Sequence, residues 1–110
     1  MTAALPYVYA PRHFGHLAGV YLPADIYSRY NRLRGRDVLF VCGTDENAPT
    51  TILEARRRSI TPQQLSDRYH PFQLGVFERL GVSFDIFSRT SRRIHQRPSG
   101  SSTGSWIGGV

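Results

Sequence analysis

The chain has 110 residues, 40% of them apolar, and a formal net charge of +6 in which every basic residue is arginine. This length suits one small domain or part of a larger one, and its positive charge suits a polyanionic partner. No apolar run approaches the roughly 20 residues of a membrane span, the N-terminus lacks a signal-peptide layout, and a single cysteine excludes an internal disulfide or a Cys-rich zinc site, so we expect a cytoplasmic chain.

The first half of the chain predicts a strand, a helix and a second strand. Residues Thr2 to Leu5 suit the end of a strand. From Gly15 to about Arg34, apolar residues recur every three or four positions, as in an amphipathic helix. Pro23 should kink this helix or divide it in two, and Gly35 suits its C-terminal cap. Residues 37–42 then contain an unbroken apolar run, which is typical of a parallel strand buried on both faces. This order predicts the opening of a doubly wound α/β nucleotide-binding fold, whose ligands bind at the carboxyl ends of strands.

The second half predicts two more helices and a strand. A short helix is expected near Thr50 to Arg58. Another begins at the Thr61-Pro62-Gln63-Gln64 capping box, with a bend at Pro71 and Gly75. Residues Phe84 to Phe87 suit a short strand. The apolar face of the longer helix is predicted to comprise Leu65, Tyr69, Phe72, Val76 and Leu80.

The most informative motif is His13-Phe14-Gly15-His16, at the predicted start of the first helix. Two imidazoles at a helix N-terminus lie where backbone N–H groups and the macrodipole already favour an anion such as phosphate. Gly15 removes the side chain that would keep a flat adenine base off the backbone. Alone the motif is weak evidence. Here it follows Ala4-Leu5-Pro6-Tyr7 and precedes Cys42-Gly43-Thr44-Asp45-Glu46, and the combination is specific.

From about Thr2 to His95 these residues and their connecting sequence resemble the N-terminal part of methionyl-tRNA synthetases, which are class I aminoacyl-tRNA synthetases. The resemblance implies an incomplete Rossmann-like catalytic domain. It also implies activation of methionine by ATP, supplied as a Mg²⁺ substrate complex, and transfer of methionine to tRNA, with no metal site in the chain itself. The second signature of the class, Lys-Met-Ser-Lys-Ser, cannot be present in a chain without lysine. The chain is therefore expected to carry one half of an ATP site.

The resemblance also assigns roles to individual residues. His13 and His16 would be catalytic, binding ATP phosphates together with Gly15 and stabilising charge as a carboxylate attacks the α-phosphate. Asp45 would hold the α-amino group of methionine. Leu5 would contact the same amino acid, and Tyr7 would form a wall of its pocket. The surrounding motif region comprises Pro6, Tyr7, Val8, Tyr9, Ala10, Pro11, Arg12, His13, Phe14, Gly15 and His16.

Each of these residues also has an ordinary structural explanation. An isolated histidine pair is more often a surface or capping pair, and a lone aspartate at a strand end can cap the following segment. Leu5 and Tyr7 could simply pack in the core. Cys42 suits a small buried strand residue. The arginine run at residues 56–58 suits a solvated helix face, with tRNA contact as the alternative.

Three functions stay open at this point. The first is the N-terminal part of a methionine–tRNA ligase, whose oligomeric state the sequence leaves open. The second is another class I synthetase, or a nucleotidyltransferase that uses a His-x-Gly-His loop on a different substrate. The third is a truncated, non-catalytic product that keeps half of a nucleotide site.

The last fifteen residues differ in character from the rest. Residues 1–95 are expected to form the partial synthetase domain, whereas residues 96–110 are rich in glycine and serine and have no periodic apolar face. This composition predicts a disordered tail. Because the resembling family begins a helix at this place, a shift of reading frame in the gene is a second hypothesis, which the nucleotide sequence would test.

Overall fold

The computed structural model describes residues 1–11 and 13–95. In this part of the chain a π-helical turn, Leu17–Tyr21, joins the first two helices. The tail predicted for residues 96–110 lies outside the described residues. The elements are α1 (Phe14–His16), α2 (Leu22–Leu33), β1 (Val41–Thr44), α3 (Pro49–Arg57), α4 (Pro62–Arg79) and β2 (Ile86–Arg89).

The two strands pair in parallel, from Val41 opposite Ile86 to Thr44 opposite Arg89. Helices α3 and α4 form the connection between them, as parallel strands require. On the other side of β1, isolated parallel bridges join Thr2 to Val41 and Tyr7 to Asp45. The prediction of a strand over Thr2 to Leu5 is therefore wrong in detail, because that segment makes a single bridge at Thr2 in place of a continuous ladder. The predicted order of a parallel α/β unit is retained.

The predicted boundaries of the second strand were also wrong. The strand begins at Val41 and runs to Thr44, beyond the predicted end at residue 42. Just before it, the carboxylate Oδ2 of Asp85 accepts the backbone N–H of Phe40 at 2.7 Å, and the Asp85 N–H donates to the Phe40 carbonyl at 2.8 Å. Leu39 is 58% exposed, so the apolar run is not buried on both faces. The last strand is likewise displaced, from residues 84–87 to Ile86–Arg89.

The first helix is divided in two, as Pro23 predicted. The division falls in the turn before the proline, where the N–H of Leu22 donates to the carbonyl of Leu17, five residues back. The ring of a proline crowds the preceding turn of a helix, and a widened π-turn gives it room. Gly35 follows the C-cap with a φ of 74°, a left-handed conformation that glycine adopts without strain.

Helix α4 begins as predicted, and its buried face matches the predicted one only in part. Thr61 Oγ1 accepts the N–H of Gln64 at 3.1 Å, and Gln64 Oε1 accepts the N–H of Thr61 at 2.9 Å, which completes the capping box. The helix continues unbroken through Pro71 and Gly75, and the bend expected there stays a prediction. The buried positions recur every four residues, so Phe72 and Leu80 of the predicted face are each 45% exposed; the large buried side chains are Leu65, Tyr69, Gln73 and Phe77.

The core consists of two apolar clusters. One joins α3 and α4 to the segment before α1 through Val8, Ala55, Leu65 and Tyr69. The other packs the π-turn and α4 against the sheet through Leu17, Tyr21, Cys42 and Phe77. Among residues 1–11 and 13–95, no helix has the length and apolarity needed to cross a bilayer. Together the clusters hold the residues before α1 next to the carboxyl end of β1.

Candidate active site

Two segments predicted to bind an amino acid meet at the carboxyl end of β1. Tyr7 and Asp45 form a parallel bridge, and the N–H of Asp45 donates to the carbonyl of Pro6 at 2.8 Å. Pro6 is buried, whereas Tyr7 is 40% exposed and Asp45 is half-buried. The structure thus brings together two of the three residues predicted to bind methionine, and it leaves both side chains accessible to a ligand.

The carboxylate of Asp45 also has a local contact. Its Oδ1 accepts the N–H of Asn47 at 3.3 Å, an Asx-type turn that helps shape the loop after β1. This is the capping role considered as the ordinary explanation. A carboxylate has about four lone-pair sites, so one long hydrogen bond leaves it able to accept from an ammonium group.

His13 and His16 stack on each other at the start of α1, with ring centroids 3.7 Å apart. His13 is the N-cap: its Nδ1 accepts the N–H of Gly15 at 3.0 Å. Because Nδ1 supplies a lone pair to this bond, the neutral ring carries its proton on Nε2. His13 therefore presents an N–H donor on the side of the ring away from the helix, where a phosphate oxygen could accept it.

The structure gives a steric reason for a glycine at position 15, and the sequence did not predict it. A Cβ at this position would lie 2.9 Å from Cε1 and 3.0 Å from Nδ1 of His13. The ring could fold over the first turn only because residue 15 has no side chain. The glycine of the motif thus permits the cap that orients His13, and the access of an adenine base stays a prediction.

Leu5 faces a different space from Tyr7 and Asp45. It is 45% exposed and lines an apolar cavity of about 420 Å³ on one face of the sheet, which also contacts Val41, Ile86 and Ile94. An apolar cavity of this kind can accept a short apolar side chain. Among the described residues, the lining of this cavity includes neither Tyr7 nor Asp45, so the side chain of Leu5 lies apart from the Tyr7–Asp45 bridge.

A buried polar cluster lies behind Asp45, and the sequence did not predict it. Glu46 follows Asp45, its side chain is 2% exposed, and its Oε1 accepts from Arg89 Nε at 2.7 Å and from Thr44 Oγ1 at 3.0 Å. Its other oxygen accepts a short hydrogen bond from the hydroxyl of Ser91. The hydrogen bond that Arg89 donates to Glu46 is the main cause that raises the pKa of Arg89 above its usual value. The pair holds the end of β1 against the end of β2.

His70 on α4 extends this cluster. Its Nδ1 lies 2.9 Å from Thr44 Oγ1, and its ring stacks on Phe87 with centroids 5.3 Å apart. Since the single hydroxyl proton of Thr44 goes to Glu46, the hydroxyl must accept from Nδ1–H of His70. Burial, followed by the positive charge of Arg89, lowers the pKa of His70 below its ordinary value. A neutral His70 completes the hydrogen bonding of Thr44.

Gln73 supports the loop between the two predicted binding segments. Its side chain is 1% exposed, and its Nε2 donates to the carbonyl of Tyr7 at 2.8 Å and that of Ala10 at 3.5 Å. The loop before His13 is therefore attached to α4. Position 73 lies on the four-residue spacing of the buried face, but a glutamine there gave no signal of this role.

The remaining predictions concern single residues. Cys42 is 6% exposed in β1, and burial raises the pKa of its thiol to about 11, as suits a structural cysteine. Arg57 and Arg58 lie on the exposed face of α3 and its end, where both pair with Glu54. Within residues 1–11 and 13–95, no three His, Cys, Asp or Glu side chains converge as a metal site would require.

A family comparison identifies this arrangement. The family model described as "tRNA synthetases class I (M)" matches residues 1–101. The chain belongs to this family. The resemblance to methionyl-tRNA synthetases noted in the sequence is therefore confirmed.

Similar curated proteins agree with this assignment. The "Methionine--tRNA ligase" of Porphyromonas gingivalis is 56% identical over 97 residues, which are 88% of this chain and 14% of that protein. The "Methionine--tRNA ligase" of Cytophaga hutchinsonii is 52% identical over 99 residues, or 90% of this chain and 14% of that protein. The chain thus spans about one-seventh of the length of these class I synthetases.

Solved structures confirm the fold. A Mycobacterium tuberculosis methionyl-tRNA synthetase in complex with methionyl-adenylate aligns with a TM-score of 0.83 and 32% identity, covering 87% of this chain and 19% of that one. A second structure of this synthetase, also bound by methionyl-adenylate, gives 0.79 and 33% over 84% of this chain and 18% of that one. The prediction of an incomplete Rossmann-like catalytic domain is correct.

Proposed function

We propose that this chain supplies the phosphate-binding histidines and the ammonium-binding carboxylate of a methionine–tRNA ligase active site. The observation that carries the proposal is the Tyr7–Asp45 bridge, which joins the turn before the histidines to the carboxyl end of β1. Ligands of doubly wound folds bind at such strand ends. The curated relatives named above are all methionine–tRNA ligases, which favours methionine over the substrate of another ligase or nucleotidyltransferase.

The proposed reaction needs hydrogen-bond donors to the phosphates and a charge that orients methionine, and it needs no general base. An oxygen of the methionine carboxylate attacks the α-phosphorus of ATP, the bond to the bridging oxygen breaks, and pyrophosphate leaves. A carboxylate is already a nucleophile, so no proton has to be removed. His13, through Nε2–H, and His16 would donate to phosphate oxygens as charge moves onto them, which is stabilisation of the transition state.

Asp45 would orient the nucleophile. Its carboxylate would pair with the α-ammonium group of methionine, and this charge-assisted hydrogen bond would direct the adjacent carboxylate of the substrate. The ring of Tyr7 would contact the rest of the amino acid, and Leu5, whose side chain faces a separate apolar cavity, would contribute its backbone. ATP would enter as its Mg²⁺ complex, and tRNA would receive methionine in the second step of the reaction.

The chain alone is proposed to perform no complete reaction. It contains no lysine, so the lysine-bearing loop that acts on the transferring phosphates in this class is absent from its sequence. We expect no methionine-dependent ATP–pyrophosphate exchange above background from the purified 110-residue chain. Robust exchange by that chain would contradict this second part of the proposal and would leave the site assignment in place.

The site assignment itself can be tested in a chimera. Residues 1–95 of this chain would replace the aligned segment of the Porphyromonas gingivalis relative, which is similar enough over 97 residues to accept the exchange. In this chimera, Asp45→Asn should weaken methionine binding roughly 10-fold or more, because a charge-assisted hydrogen bond contributes about 1.5–3 kcal/mol. ATP binding should change little.

The histidine variants provide the opposite pattern. His13→Ala and His16→Ala should each lower the rate of adenylate formation more than they weaken methionine binding, because their contacts strengthen in the transition state. Equilibrium binding and single-turnover adenylate formation, measured on the same preparations, separate the two effects. An Asp45→Asn chimera that binds methionine normally but loses ATP affinity would refute the assignment of residue 45.

A further inference from the structure

The backbone on both sides of Asp45 is attached to two other segments. The carbonyl of Thr44 accepts the N–H of Thr90 at 3.1 Å, and the N–H of Glu46 donates to Thr90 Oγ1 at 2.9 Å. The N–H of Asp45 itself donates to the carbonyl of Pro6. Three successive residues are thus hydrogen-bonded to the end of β2 on one side and to the Pro6 turn on the other.

The side chain of Glu46 anchors this arrangement in the interior. Both of its carboxylate oxygens are hydrogen-bonded, one to Thr44 Oγ1 and Arg89 Nε and the other to the Ser91 hydroxyl. With 2% of its side chain exposed, Glu46 depends on Arg89 for a counter-charge. The residue next to Asp45 therefore cannot move without breaking a buried ion pair.

Arg89 has a second carboxylate partner that does not touch the Asp45 segment. Its Nη2 donates to Asp67 Oδ1 at 2.7 Å, and the Asp67 side chain, on α4, is 54% exposed. Asp67 and Glu46 thus share one guanidinium, but only Glu46 is bonded covalently to Asp45. Substitutions at Glu46 and Asp67 are therefore a matched pair, because each alters a carboxylate partner of Arg89 but only the first alters the neighbour of Asp45.

We propose that Glu46, held by Arg89, is a positioning residue that directs the Asp45 carboxylate toward the ammonium group of an α-amino acid. The inference rests on the proposed function, since it takes Asp45 as the ammonium-binding group. Glu46 touches no substrate in this scheme. It acts through the peptide bond to Asp45 and through the hydrogen bonds that hold residues 44–46 between β2 and the Pro6 turn.

The first test uses the complete 110-residue chain and needs no ligand. Amide hydrogen exchange, followed by NMR, compares the N–H of Asp45 with that of Phe77 in the middle of α4. Glu46→Gln keeps the side-chain shape and removes the charge. We expect it to accelerate exchange at Asp45 roughly 10-fold more than at Phe77, because the opening is local. Asp67→Asn should accelerate neither.

Arg89→Lys serves as a second variant if Glu46→Gln does not fold. It keeps the positive charge but loses the planar fork that donates to both carboxylates. Exchange at Asp45 should then be faster than in the unmodified chain, by a larger factor than exchange at Phe77. Equal acceleration at Asp45 and Phe77 in either variant would show that the pair only stabilises the fold, and would overturn the proposal.

The second test measures ligand binding in the chimera described above. Glu46→Gln should weaken methionine at least about 5-fold while leaving ATP affinity within about 2-fold, and Asp67→Asn should leave both unchanged. Asp45→Asn in the same series separates the two proposals. If Asp45→Asn leaves methionine binding intact, the proposed function fails. If Asp45→Asn weakens methionine and Glu46→Gln does not, the positioning role fails alone.

Discussion

Gly43→Ala in β1 should lower the free energy of unfolding, whereas Gly75→Ala in α4 should raise it. Gly43 lies opposite Ser88 in the parallel pair, and a Cβ on it would lie 2.7 Å from the Ser88 carbonyl oxygen and 2.9 Å from its carbon. These are backbone atoms within a ladder, so they cannot rotate away as a side chain could. Gly43→Ala must therefore push the two strands apart by several tenths of an ångström.

Overpacking of this kind typically costs about 1–3 kcal/mol. Gly75 in α4 is the matched control, because nothing lies within 4 Å of a Cβ built there. Gly75→Ala should raise the free energy of unfolding by about 0.5–1 kcal/mol, since alanine loses less backbone entropy in a helix. The same substitution should thus have opposite signs at the two positions.

Urea denaturation of the 110-residue chain measures both changes. With a slope of about 1–3 kcal/mol per molar urea, a loss of about 2 kcal/mol in Gly43→Ala should lower the midpoint by about 1 M. The slope should stay the same in both variants. A Gly43→Ala chain as stable as the original would show that β1 and β2 are not held at the described separation, and the reasoning would be refuted.

Two further predictions concern a cap and a carboxylate. Gly15→Ala should rotate the His13 ring away from the first turn of the helix. The lost cap, worth about 1 kcal/mol, and the gain in helix propensity nearly cancel, so the free energy of unfolding should stay constant. The NMR resonances of the His13 imidazole should shift. Unshifted resonances would contradict this. Burial raises the pKa of Asp25, but hydrogen bonds from Ser83 and Arg29 outweigh it and leave the pKa below its ordinary value. The contribution of ionised Asp25 to the free energy of unfolding is fully present above about pH 4 and is lost as the pH falls further. Asp25→Asn should therefore flatten the decline in melting temperature between about pH 4 and pH 2.

The features that were predicted correctly depend on residues close together in sequence. The Thr61–Gln64 capping box, the division of the first helix near Pro23 and the left-handed Gly35 each follow from a few neighbouring residues. The meeting of Tyr7 with Asp45 also agrees with the sequence, which placed both residues at the ends of predicted parallel strands, where ligands of doubly wound folds bind.

The features that were missed depend on distant partners. Strand β1 starts late because Asp85, 45 residues away, takes the N–H of Phe40. Gln73 is buried because its amide donates to the carbonyl of Tyr7, 66 residues away. The ion pair of Glu46 with Arg89 spans 43 residues. Neither charge nor periodicity in the sequence indicates which distant group a polar side chain will meet.

The burial of Cys42 makes β1 observable without any engineered probe. Its Sγ lies 3.9 Å from the carbonyls of Ala3 and Ala4, and its pKa of about 11 leaves roughly one thiol in a thousand ionised at pH 8. Cys42 can therefore be alkylated in the native chain only when the sheet opens, and the alkylation rate measures how often this opening occurs. Cys42 lies in β1, and Asp45 follows the last residue of that strand. The alkylation rate of Cys42 therefore reports how often the strand that carries the proposed methionine site opens.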